Sequence, residues 1–326
     1  MLGRSFDGRA ERAPTRGDDA SRATMTRGAR VLVTGASGYV GRQALAPLTR
    51  LGFEVHGLAR RPLAEPACRW HALDLFDGAA VAAAIESIRP SHLLHLAWTT
   101  EHGKFWTDPA NDAWRTATLD LVDRFIAAGG RRCVTAGSCA EYDWSGSGPF
   151  VESRTPLSPA TPYGQAKLHI SRAVGAEAAA AGVSFAHARL FFSYGPHEKP
   201  QRLVPVIVRA LLKGEPARLT AGTQLRDFVD VRDLGRCLAS LLASDVQGAV
   251  NVASGEGVAV ARIAGLLGAI IGRPDLIELG ALPLPLTEPP ALVADIARLS
   301  REVGTEPQIG LEQGLSDAVA WWRGGV

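Results

Sequence analysis

Short apolar runs alternate with longer segments of helical periodicity over the first two thirds of the chain. The short runs are rich in β-branched residues, and the longer segments carry apolar residues at three- and four-residue spacing. The pattern predicts strands at Arg30–Thr34, Phe53–Leu58, Trp70–Leu73, His92–Ala97, Arg132–Ala136 and Ser184–Phe191, and helices at Gly41–Leu51, Ala79–Ile88, Trp114–Ala128 and Tyr163–Ala181. Strands separated by helices of this length imply βαβ crossovers. The sequence therefore predicts an α/β fold with a Rossmann-like, doubly wound parallel sheet.

The pattern loosens after Tyr194, where proline and glycine recur, and residues 283–290 form a proline-rich segment before two short predicted helices. We expect residues 29–191 to form one α/β domain, with residues 225–253 partly returning to it. Residues 192–224 and 254–326 are then expected to form a smaller C-terminal α/β substrate lobe. Such a lobe would lie over the carboxyl edge of the sheet, where open α/β sheets bind ligands.

The first 28 residues differ from the rest, because they are rich in Arg, Gly, Asp and Ala and have almost nothing to bury. Such a composition predicts a disordered tail. The tail lacks the apolar core of a secretory signal, and its four acidic residues argue against a transit peptide. Met25 stands just before the first strand. We therefore expect Met25 to be the natural start and the tail to be an upstream extension.

Composition excludes several classes of protein. The chain has 326 residues, 46% of them hydrophobic, and a net charge of only +2, which predicts a large core and no binding of nucleic acid. No apolar run approaches the roughly 20 residues that a membrane helix needs. The four cysteines show no paired spacing, so we expect reduced thiols, no bound metal and a cytoplasmic location.

A glycine-rich loop follows the first predicted strand and opens a helix. It reads TGASGYVG and comprises Thr34, Gly35, Ala36, Ser37, Gly38, Tyr39, Val40 and Gly41. Gly35 allows a tight turn, Gly38 lets the backbone approach a pyrophosphate, and Gly41 lets helix and strand pack closely. A glycine triplet also occurs where packing alone requires it. In this strand–loop–helix context it predicts a dinucleotide site.

The end of the second strand bears on which dinucleotide is bound. NAD sites usually place an acidic residue there, about 20 residues after the glycine loop, but here Ala59 is followed by Arg60 and Arg61. A guanidinium suits a 2′-phosphate, which favours NADP and leaves NAD open; a solvated basic turn is the alternative. Asp74, which precedes Leu75 after the third strand, suits the adenine amino group, although it could equally cap the next helix.

A tyrosine and a lysine stand four residues apart at the start of a predicted helix, Tyr163 and Lys167 in PYGQAK. This spacing places both on one helical face, and alone it would be typical of a surface pair. With the glycine loop, and with Ser138 just beyond a strand, it predicts a catalytic triad. Tyr163 would exchange a proton with an oxygen that Ser138 holds. As a base it needs a pKa well below 10, which an adjacent ammonium and a cationic nicotinamide would supply.

These motifs together resemble the extended short-chain dehydrogenases/reductases, and more narrowly the NAD(P)-dependent nucleotide-sugar epimerase/dehydratase family. The resemblance rests on TGASGYVG, HLLHLAW, AGSCAEY, YGQAK, SYGPH and QLRDFVDV, and runs from about Arg30 to the C-terminus. It implies that Ser138, Tyr163 and Lys167 form the triad and that Lys167 also holds the nicotinamide ribose. It further implies that Leu96, Ala97, Trp98, Leu190 and Phe191 line the cofactor, and that the chain forms a homodimer.

Departures from the family pattern narrow the expected activity. Dehydratases carry an acidic pair directly after the Ser or Thr of the triad, where this chain has Cys139 and Ala140. Glu141 is offset by one residue, which disfavours dehydration. Cys139 and Ala140 also differ from the 3,5-epimerising reductases, which place a Cys two residues after that Ser.

Other positions bear on the substrate. Phe192 occupies the place of an Asn that touches a phosphate in UDP-sugar 4-epimerases, and Glu288 lies where the family has a basic phosphate clamp. Arg226 matches a position that grips the sugar diphosphate, unless it pairs with a nearby acid. His197 matches a second acid/base group of the reductases, although it could equally be hydrogen-bonded within its loop.

The segment from Trp98 to Trp114 carries three tryptophans and also Glu101, and is expected at the mouth of the site. It would stack on a sugar or base, or else shield the nicotinamide or pack in a dimer.

The sequence thus predicts an NADP-preferring oxidoreductase or epimerase acting on a secondary alcohol or 4-keto group of a nucleotide-activated sugar. The alternatives are an NADPH-dependent reductase of a non-nucleotide ketone and a non-catalytic NADP-sensing protein of the same fold.

Overall fold

A computed structural model describes residues 26–99, 101, 103–146, 148–285 and 288–324. The first 25 residues of the tail predicted for residues 1–28 lie outside the described residues, and Met25 is among them. The strands are β1 (Arg30–Thr34), β2 (Glu54–Ala59), β3 (Arg69–Ala72), β4 (His92–His95), β5 (Arg132–Ser138), β6 (Ser184–Leu190), β7 (Phe192–Tyr194), β8 (Ala217–Arg218), β9 (Leu225–Asp230), β10 (Gly248–Val252), β11 (Gly257–Ala259), β12 (Ile277–Glu278) and β13 (Ala291–Leu292).

The helices alternate with the strands of the first part of the chain, as the sequence predicts. They are α1 (Gly41–Arg50), α2 (Gly78–Ile88), α3 (Ala110–Ala127), α4 (Pro162–Ala181), α5 (Leu203–Lys213), α6 (Val231–Leu242), α7 (Val260–Ile271) and α8 (Leu311–Arg323). Within the described residues, none of the helices is long and apolar enough to cross a membrane.

A seven-stranded parallel sheet forms the centre of the molecule, with the order β10-β6-β5-β4-β1-β2-β3. The chain starts at β1 and winds outward first through β2 and β3, then through β4, β5 and β6 on the other side. The order therefore reverses between β1 and β4, and this switch point leaves a crevice at the carboxyl ends of the strands. The predicted Rossmann-like, doubly wound fold is confirmed.

Apolar side chains cover both faces of this sheet. On one face α1 and α6 pack through residues such as Leu45, Leu48 and Leu238. On the other face α2, α3 and α4 contribute the buried side chains of a second core, among them Ile85 and Phe125. Strands buried on both faces must be apolar throughout, and this is why β1, β4 and β5 appear as apolar runs in the sequence.

A smaller sheet lies beyond the main one and is built from the C-terminal part of the chain. Its strands run in the order β11-β9-β13, with β7 also paired to β9. Helices α5, α7 and α8 enclose an apolar core beside it. β9 belongs to this smaller sheet, whereas α6 and β10 lie on the main one. The division into a dinucleotide-binding domain and a substrate lobe stays a prediction.

Two element boundaries differ from the sequence prediction in a way that matters for the site. β5 continues to Ser138 instead of ending at Ala136, because Ser138 still pairs with Leu190 of β6. α3 begins at Ala110 instead of Trp114, since the Asp108 carboxylate accepts a hydrogen bond from the Ala110 amide at 2.9 Å and starts the helix one turn earlier.

Candidate active site

A cavity of about 640 Å³ opens at the carboxyl ends of the central strands. Most of the predicted site residues line it: Gly35, Ser37, Gly38, Tyr39, Val40, Gly41, Arg60, Asp74, Leu75, Leu96, Ala97, Trp98, Glu101, Ser138, Tyr163, Lys167, Leu190, Phe191 and Phe192. The three predicted site residues that are not part of this lining are Arg61, His197 and Arg226. The fold thus brings the glycine loop and the triad to a single cavity.

The glycine loop forms one end of the cavity and packs tightly on the strands below it. Gly35 has a φ of +67°, and a Cβ there would lie 2.8 Å from the Ala97 amide nitrogen. A Cβ on Gly41 would lie 2.2 Å from the Gly35 carbonyl oxygen. Only glycine fits at either place, and the loop leaves the N-terminus of α1 facing the cavity. These residues fit the diphosphate of a dinucleotide.

Residues at and after the ends of β2 and β3 also line the cavity, namely Ala59, Arg60, Asp74 and Leu75. The Arg60 side chain is exposed and forms no ion pair within the part of the chain that the structure describes. Arg61 is exposed and is not part of the lining. Asp74 does not cap α2; Asp77 does so instead, by accepting a hydrogen bond from the Ala80 amide at 3.0 Å.

Ser138 is held at the last position of β5 by a capping box. Its hydroxyl oxygen accepts a hydrogen bond from the Ala140 amide at 3.2 Å, and the Glu141 carboxylate accepts one from the Ser138 amide at 2.8 Å. These reciprocal bonds fix a short 3-10 turn over Cys139–Glu141. The Ser138 side chain therefore has a defined position at the sheet edge.

The N-terminal turn of α4 places Tyr163 against that serine. The Thr161 hydroxyl caps the helix by accepting a hydrogen bond from the Gly164 amide at 3.2 Å, and Pro162 occupies the first helical position. A Cβ on Gly164 would lie 2.3 Å from the Ala140 carbonyl oxygen. The glycine of the YGQAK motif thus lets the helix approach the turn that carries Ser138.

Burial determines the electrostatics of Tyr163. Its pKa is raised above the ordinary value, mainly because the phenol is buried, while the Ser138 hydroxyl and Arg202 lower it. The expectation that an adjacent ammonium and a cationic nicotinamide bring this pKa well below 10 applies to the cofactor-bound enzyme and stays a prediction. A raised pKa keeps the phenol protonated at neutral pH, which suits a proton donor.

Lys167 lies beneath an indole ring at the bottom of the cavity. Its ammonium donates a hydrogen bond to the Ala136 carbonyl at 2.9 Å and lies 3.7 Å from the centroid of the Trp98 ring. Burial lowers the pKa of Lys167 to about 7, against the opposing effect of the Glu141 carboxylate. The cation–π contact and the carbonyl together compensate part of the desolvation of the ammonium.

Aromatic rings surround the Tyr163 phenol on the other side. Ring centroids of Phe105, Trp106 and Trp98 lie 5.0, 5.6 and 6.2 Å from that of Tyr163, all at steep angles. The Trp98 indole N–H donates to the Asn111 amide oxygen at 3.0 Å, so Trp98 presents an apolar face to the cavity. The segment after β4 thus forms an apolar wall at the reacting end.

Behind the site lies a buried polar network that sequence reasoning missed. Glu141, fully buried, accepts hydrogen bonds from His187 Nε2 and Arg189 Nε, both at 2.9 Å. Arg189 in turn reaches the Tyr142 hydroxyl, which bonds Asn251 at 2.7 Å. These ion pairs lower the pKa of Glu141 to about 2, against the opposing effect of burial. The network fixes the turn that holds Ser138; the offset Glu141 was its signal in the sequence.

Three charged residues on the cavity wall were also missed, namely Glu198, Lys199 and Arg202. All follow the SYGPH motif, and the charged stretch HEKPQR was the available signal. His197, by contrast, has a φ of +68° and packs its ring 4.9 Å from that of Trp321, outside the lining. The left-handed backbone at His197 turns its side chain away from the cavity.

Arg226 lies buried beside the cavity rather than on its wall. Its guanidinium pairs with Glu288 and donates to the Leu225 carbonyl at 2.7 Å, while it lies 5.6 Å from the Phe192 ring. The acid replaces the basic clamp at that point of the chain, and it neutralises the arginine that matched a diphosphate position.

Comparison with known proteins agrees with this geometry. The model of the NAD dependent epimerase/dehydratase family matches residues 31–253. The chain belongs to this family. It is therefore an enzyme of the extended short-chain dehydrogenase/reductase group, as the sequence predicts.

Three relatives illustrate the range of the family. The chain is 31% identical to a dTDP-6-deoxy-L-talose 4-dehydrogenase (NAD(P)(+)) from Kitasatospora kifunensis, over 82% of this chain and 85% of that protein. It is 27% identical to a dTDP-4-dehydro-6-deoxy-D-allose reductase from a Streptomyces species, over 91% and 97%. The solved UDP-glucose 4-epimerase of Thermus thermophilus, in complex with NAD, is 25% identical with a TM-score of 0.82, over 91% and 100%.

Proposed function

We propose that this family member is an NADP(H)-preferring oxidoreductase that acts at carbon 4 of a nucleotide-linked 6-deoxyhexose. The observation that carries the proposal is the convergence of Ser138, Tyr163 and Lys167 on one cavity that begins at a glycine loop. A dehydrogenase and a reductase among the relatives act at this carbon of dTDP-linked sugars, as their names state. Both directions need the same proton relay.

The residues of the chain supply proton transfer and positioning. A nicotinamide dinucleotide, when bound, supplies or accepts the hydride. In the reducing direction the Tyr163 phenol donates its proton to the carbonyl oxygen, which the Ser138 hydroxyl also holds. The raised pKa of Tyr163 favours this direction, since the phenol stays protonated at neutral pH. The nearby Lys167 ammonium favours return of the proton from solvent.

The walls of the cavity support the proposed substrate. Lys199 and Arg202 bring positive charge to the lining, which suits a diphosphate. Phe105 and Trp106 present rings beside Tyr163, and a methyl group at carbon 6 would be better placed against them than a hydroxymethyl group. We favour net oxidation or reduction over epimerisation because the chain is 31% identical to the dehydrogenase. Its identity to the UDP-glucose 4-epimerase of Corynebacterium glutamicum is lower, at 25%.

The preference for NADP rests on Arg60, which lines the cavity and has no ion-pair partner among the described residues. Its guanidinium would suit a 2′-phosphate. NAD remains the alternative, because the Thermus epimerase binds it.

We further propose a cytoplasmic homodimer, with α3 and α4 at the interface. All four thiols are buried and free, as expected of a reducing compartment.

A reductase of a non-nucleotide ketone is the second candidate, because Glu288 neutralises Arg226 and the reacting end is aromatic. A thermal-shift panel separates the two. dTDP, UDP, GDP and CDP are added singly, each with saturating NADPH or NADH. A shift with one nucleotide supports a nucleotide sugar; no shift with any of the four supports the second candidate. Turnover is then followed with the matching 4-keto-6-deoxyhexose, where stoichiometric consumption of NADPH distinguishes reduction from epimerisation.

Replacing Tyr163 with phenylalanine tests the triad. Tyr163→Phe removes the proton donor and keeps the ring, so we expect kcat with the 4-keto sugar to fall roughly 100- to 10,000-fold. NADPH affinity, measured by fluorescence titration, and the melting temperature should stay near those of the unchanged protein. Turnover within about threefold of the unchanged protein would show that another group transfers the proton.

A further inference from the structure

Glu198 is a cavity residue that the proposed chemistry leaves without a role. It is 5% exposed and lies on the cavity wall. One carboxyl oxygen, Oε1, lies 3.7 Å from Nε of Arg202. The other, Oε2, is buried and has no hydrogen-bond partner among the described residues. A buried carboxyl oxygen without a partner is costly, so a ligand group that bonds it would gain more than an ordinary surface contact gives.

The groups around this carboxyl keep it in its neutral form. Arg202 lies within 3.7 Å of it, and the Tyr39 phenol of the glycine loop interacts with it electrostatically. Burial raises the pKa of Glu198 to about 8, against the opposing effect of Arg202. A neutral carboxyl both donates and accepts hydrogen bonds, which is the pattern that an alcohol requires.

The position of Arg202 shows which part of a ligand would meet Glu198. Arg202 lowers the pKa of Tyr163 and that of Glu198, so its charge acts on both the proposed proton donor and this carboxyl. Lys199 and Arg202 are suited to phosphate oxygens, whereas Glu198 is suited to a hydroxyl group. Because His197 turns to Trp321, the loop presents Glu198 to the cavity in its place.

We propose that Glu198 is a specificity-determining residue whose free carboxyl oxygen binds a sugar hydroxyl at a carbon next to the reacting carbon. The inference rests on the proposed function, because it takes the ligand to be a nucleotide-linked 4-keto sugar. It predicts that the true substrate carries a hydroxyl group at carbon 3, and that a 3-deoxy analogue is a poor substrate.

Two probes and three variants test the role. The probes are dTDP-4-keto-6-deoxyglucose and its 3-deoxy counterpart, each with NADPH. In the unchanged enzyme we expect kcat/KM to favour the hydroxylated probe by roughly 10- to 100-fold. Glu198→Ala should lower kcat/KM for that probe by a similar factor and leave the 3-deoxy probe within about twofold. Glu198→Gln, which keeps a donor and an acceptor, should retain most of the preference, and Glu215→Ala, at an exposed carboxylate, should retain all of it.

The pH profile gives a readout that a structural role would not change. In the unchanged enzyme, the ratio of kcat/KM for the hydroxylated probe to that for the 3-deoxy probe should fall as the pH rises past about 8, since ionisation of Glu198, whose pKa is raised to that value, removes its donor. Titration of Lys167, whose pKa is about 7, affects both probes alike and cancels in this ratio. Glu198→Gln should lack that fall. Melting temperature and NADPH affinity are measured for every variant and are expected to match the unchanged enzyme.

The outcomes distinguish the inference from the function on which it rests. Equal losses with both probes in Glu198→Ala, or an NADPH affinity weakened by about tenfold, would overturn the role of Glu198 in reading the sugar and leave the proposed function intact. No turnover of either probe by the unchanged enzyme, with NADPH bound, would overturn the proposed function and this inference with it.

Discussion

Single residues at the cavity owe their properties to their surroundings more than to their type. Tyr163 and Lys167 are one helical turn apart, yet burial raises the pKa of the phenol and lowers that of the ammonium to about 7. Both changes favour the uncharged forms, because desolvation penalises charge. At neutral pH such a site holds a protonated phenol, and its low polarity suits a neutral carbonyl group.

Arg60 is the residue on which cofactor choice is predicted to depend. Replacing it with serine removes the guanidinium proposed to read a 2′-phosphate, so we expect KM for NADPH to rise roughly 10- to 100-fold and KM for NADH to change little. Arg61→Ser is the matched control, because Arg61 does not line the cavity. Equal KM values for the two cofactors in the unchanged enzyme would remove the role given to Arg60.

At the scale of elements, the site depends on close approaches between a loop, a strand end and a helix. The glycine loop meets the residues after β4 at Gly35, and the start of α4 meets the turn after β5 at Gly164. Both approaches place backbone against backbone, so a side chain at either glycine would separate the elements. The cavity therefore owes its shape to packing of whole elements.

Glycine substitutions separate folding from cofactor binding in the first of these elements. Gly41→Ala would place its Cβ 2.2 Å from the Gly35 carbonyl, and we expect it to lower the melting temperature and abolish NADPH binding. At Gly38 the Cβ would meet only the Gly35 carbonyl, at 3.0 Å. Gly38→Ala should keep the melting temperature within a few degrees and weaken NADPH binding by about tenfold or more.

A glycine away from the site provides the control for this comparison. A Cβ on Gly265, within α7, would meet nothing within 4 Å. Gly265→Ala should leave NADPH affinity unchanged and raise stability slightly, by up to about 1 kcal/mol, because alanine favours the helix. Tight NADPH binding by Gly41→Ala would contradict the steric argument.

At the scale of the molecule, buried polar bonds join the main sheet to the smaller one. The Asn251 amide group on β10 donates to the carbonyls of Phe150 and Asp295. The Asp227 carboxylate on β9 accepts hydrogen bonds from the amides of Ser254 and Ala294. These connections cross between the sheets beside the cavity, so the two sheets are expected to unfold together.

Stability of the whole molecule is predicted to fall steeply below about pH 4.5. Burial lowers the pKa of His95 to about 3, and the ion pairs of Glu141 lower its pKa to about 2. Between about pH 4.5 and 3 the unfolded chain therefore binds more protons than the folded one, and each such proton removes about 1.4 kcal/mol per pH unit. Glu198 opposes this fall mainly above about pH 4.5, because its carboxyl is protonated in the folded state below about pH 8, whereas the unfolded chain takes up that proton near pH 4.5. Its opposing effect fades as the pH drops from there to about 3.

Urea unfolding at about pH 3, 4, 4.5 and 7 measures this dependence. Glu141→Gln should be less stable than the unchanged protein near pH 7, since it leaves the buried Arg189 without its partner, and should show a shallower fall towards low pH. Glu302→Gln, in an ion pair whose carboxylate is 48% exposed, should change stability near neutral pH by no more than about 1 kcal/mol. A free energy of unfolding that stays constant from about pH 4.5 to 3 would contradict the prediction.

The amino-acid sequence is sufficient to predict the order of the elements, the glycine loop and the residues of the proposed triad. Each of these is encoded within a few residues, by hydrophobic period or by a motif whose members are neighbours in the chain. For that reason Gly35, Ser138 and Tyr163 could be named beforehand and are found on one cavity.

The surroundings of those residues follow from the folded arrangement of the chain and cannot be derived from short motifs. Glu141 and Arg189 are 48 residues apart, and Arg226 and Glu288 are 62 apart, so no local pattern shows that they pair. The direction of His197 and Glu198 depends on one left-handed backbone position. The pKa of Tyr163 depends on burial by elements that are distant in the chain. Short motifs thus identify the reactive residues at the cavity, whereas the pKa values of those residues depend on packing between distant parts of the chain.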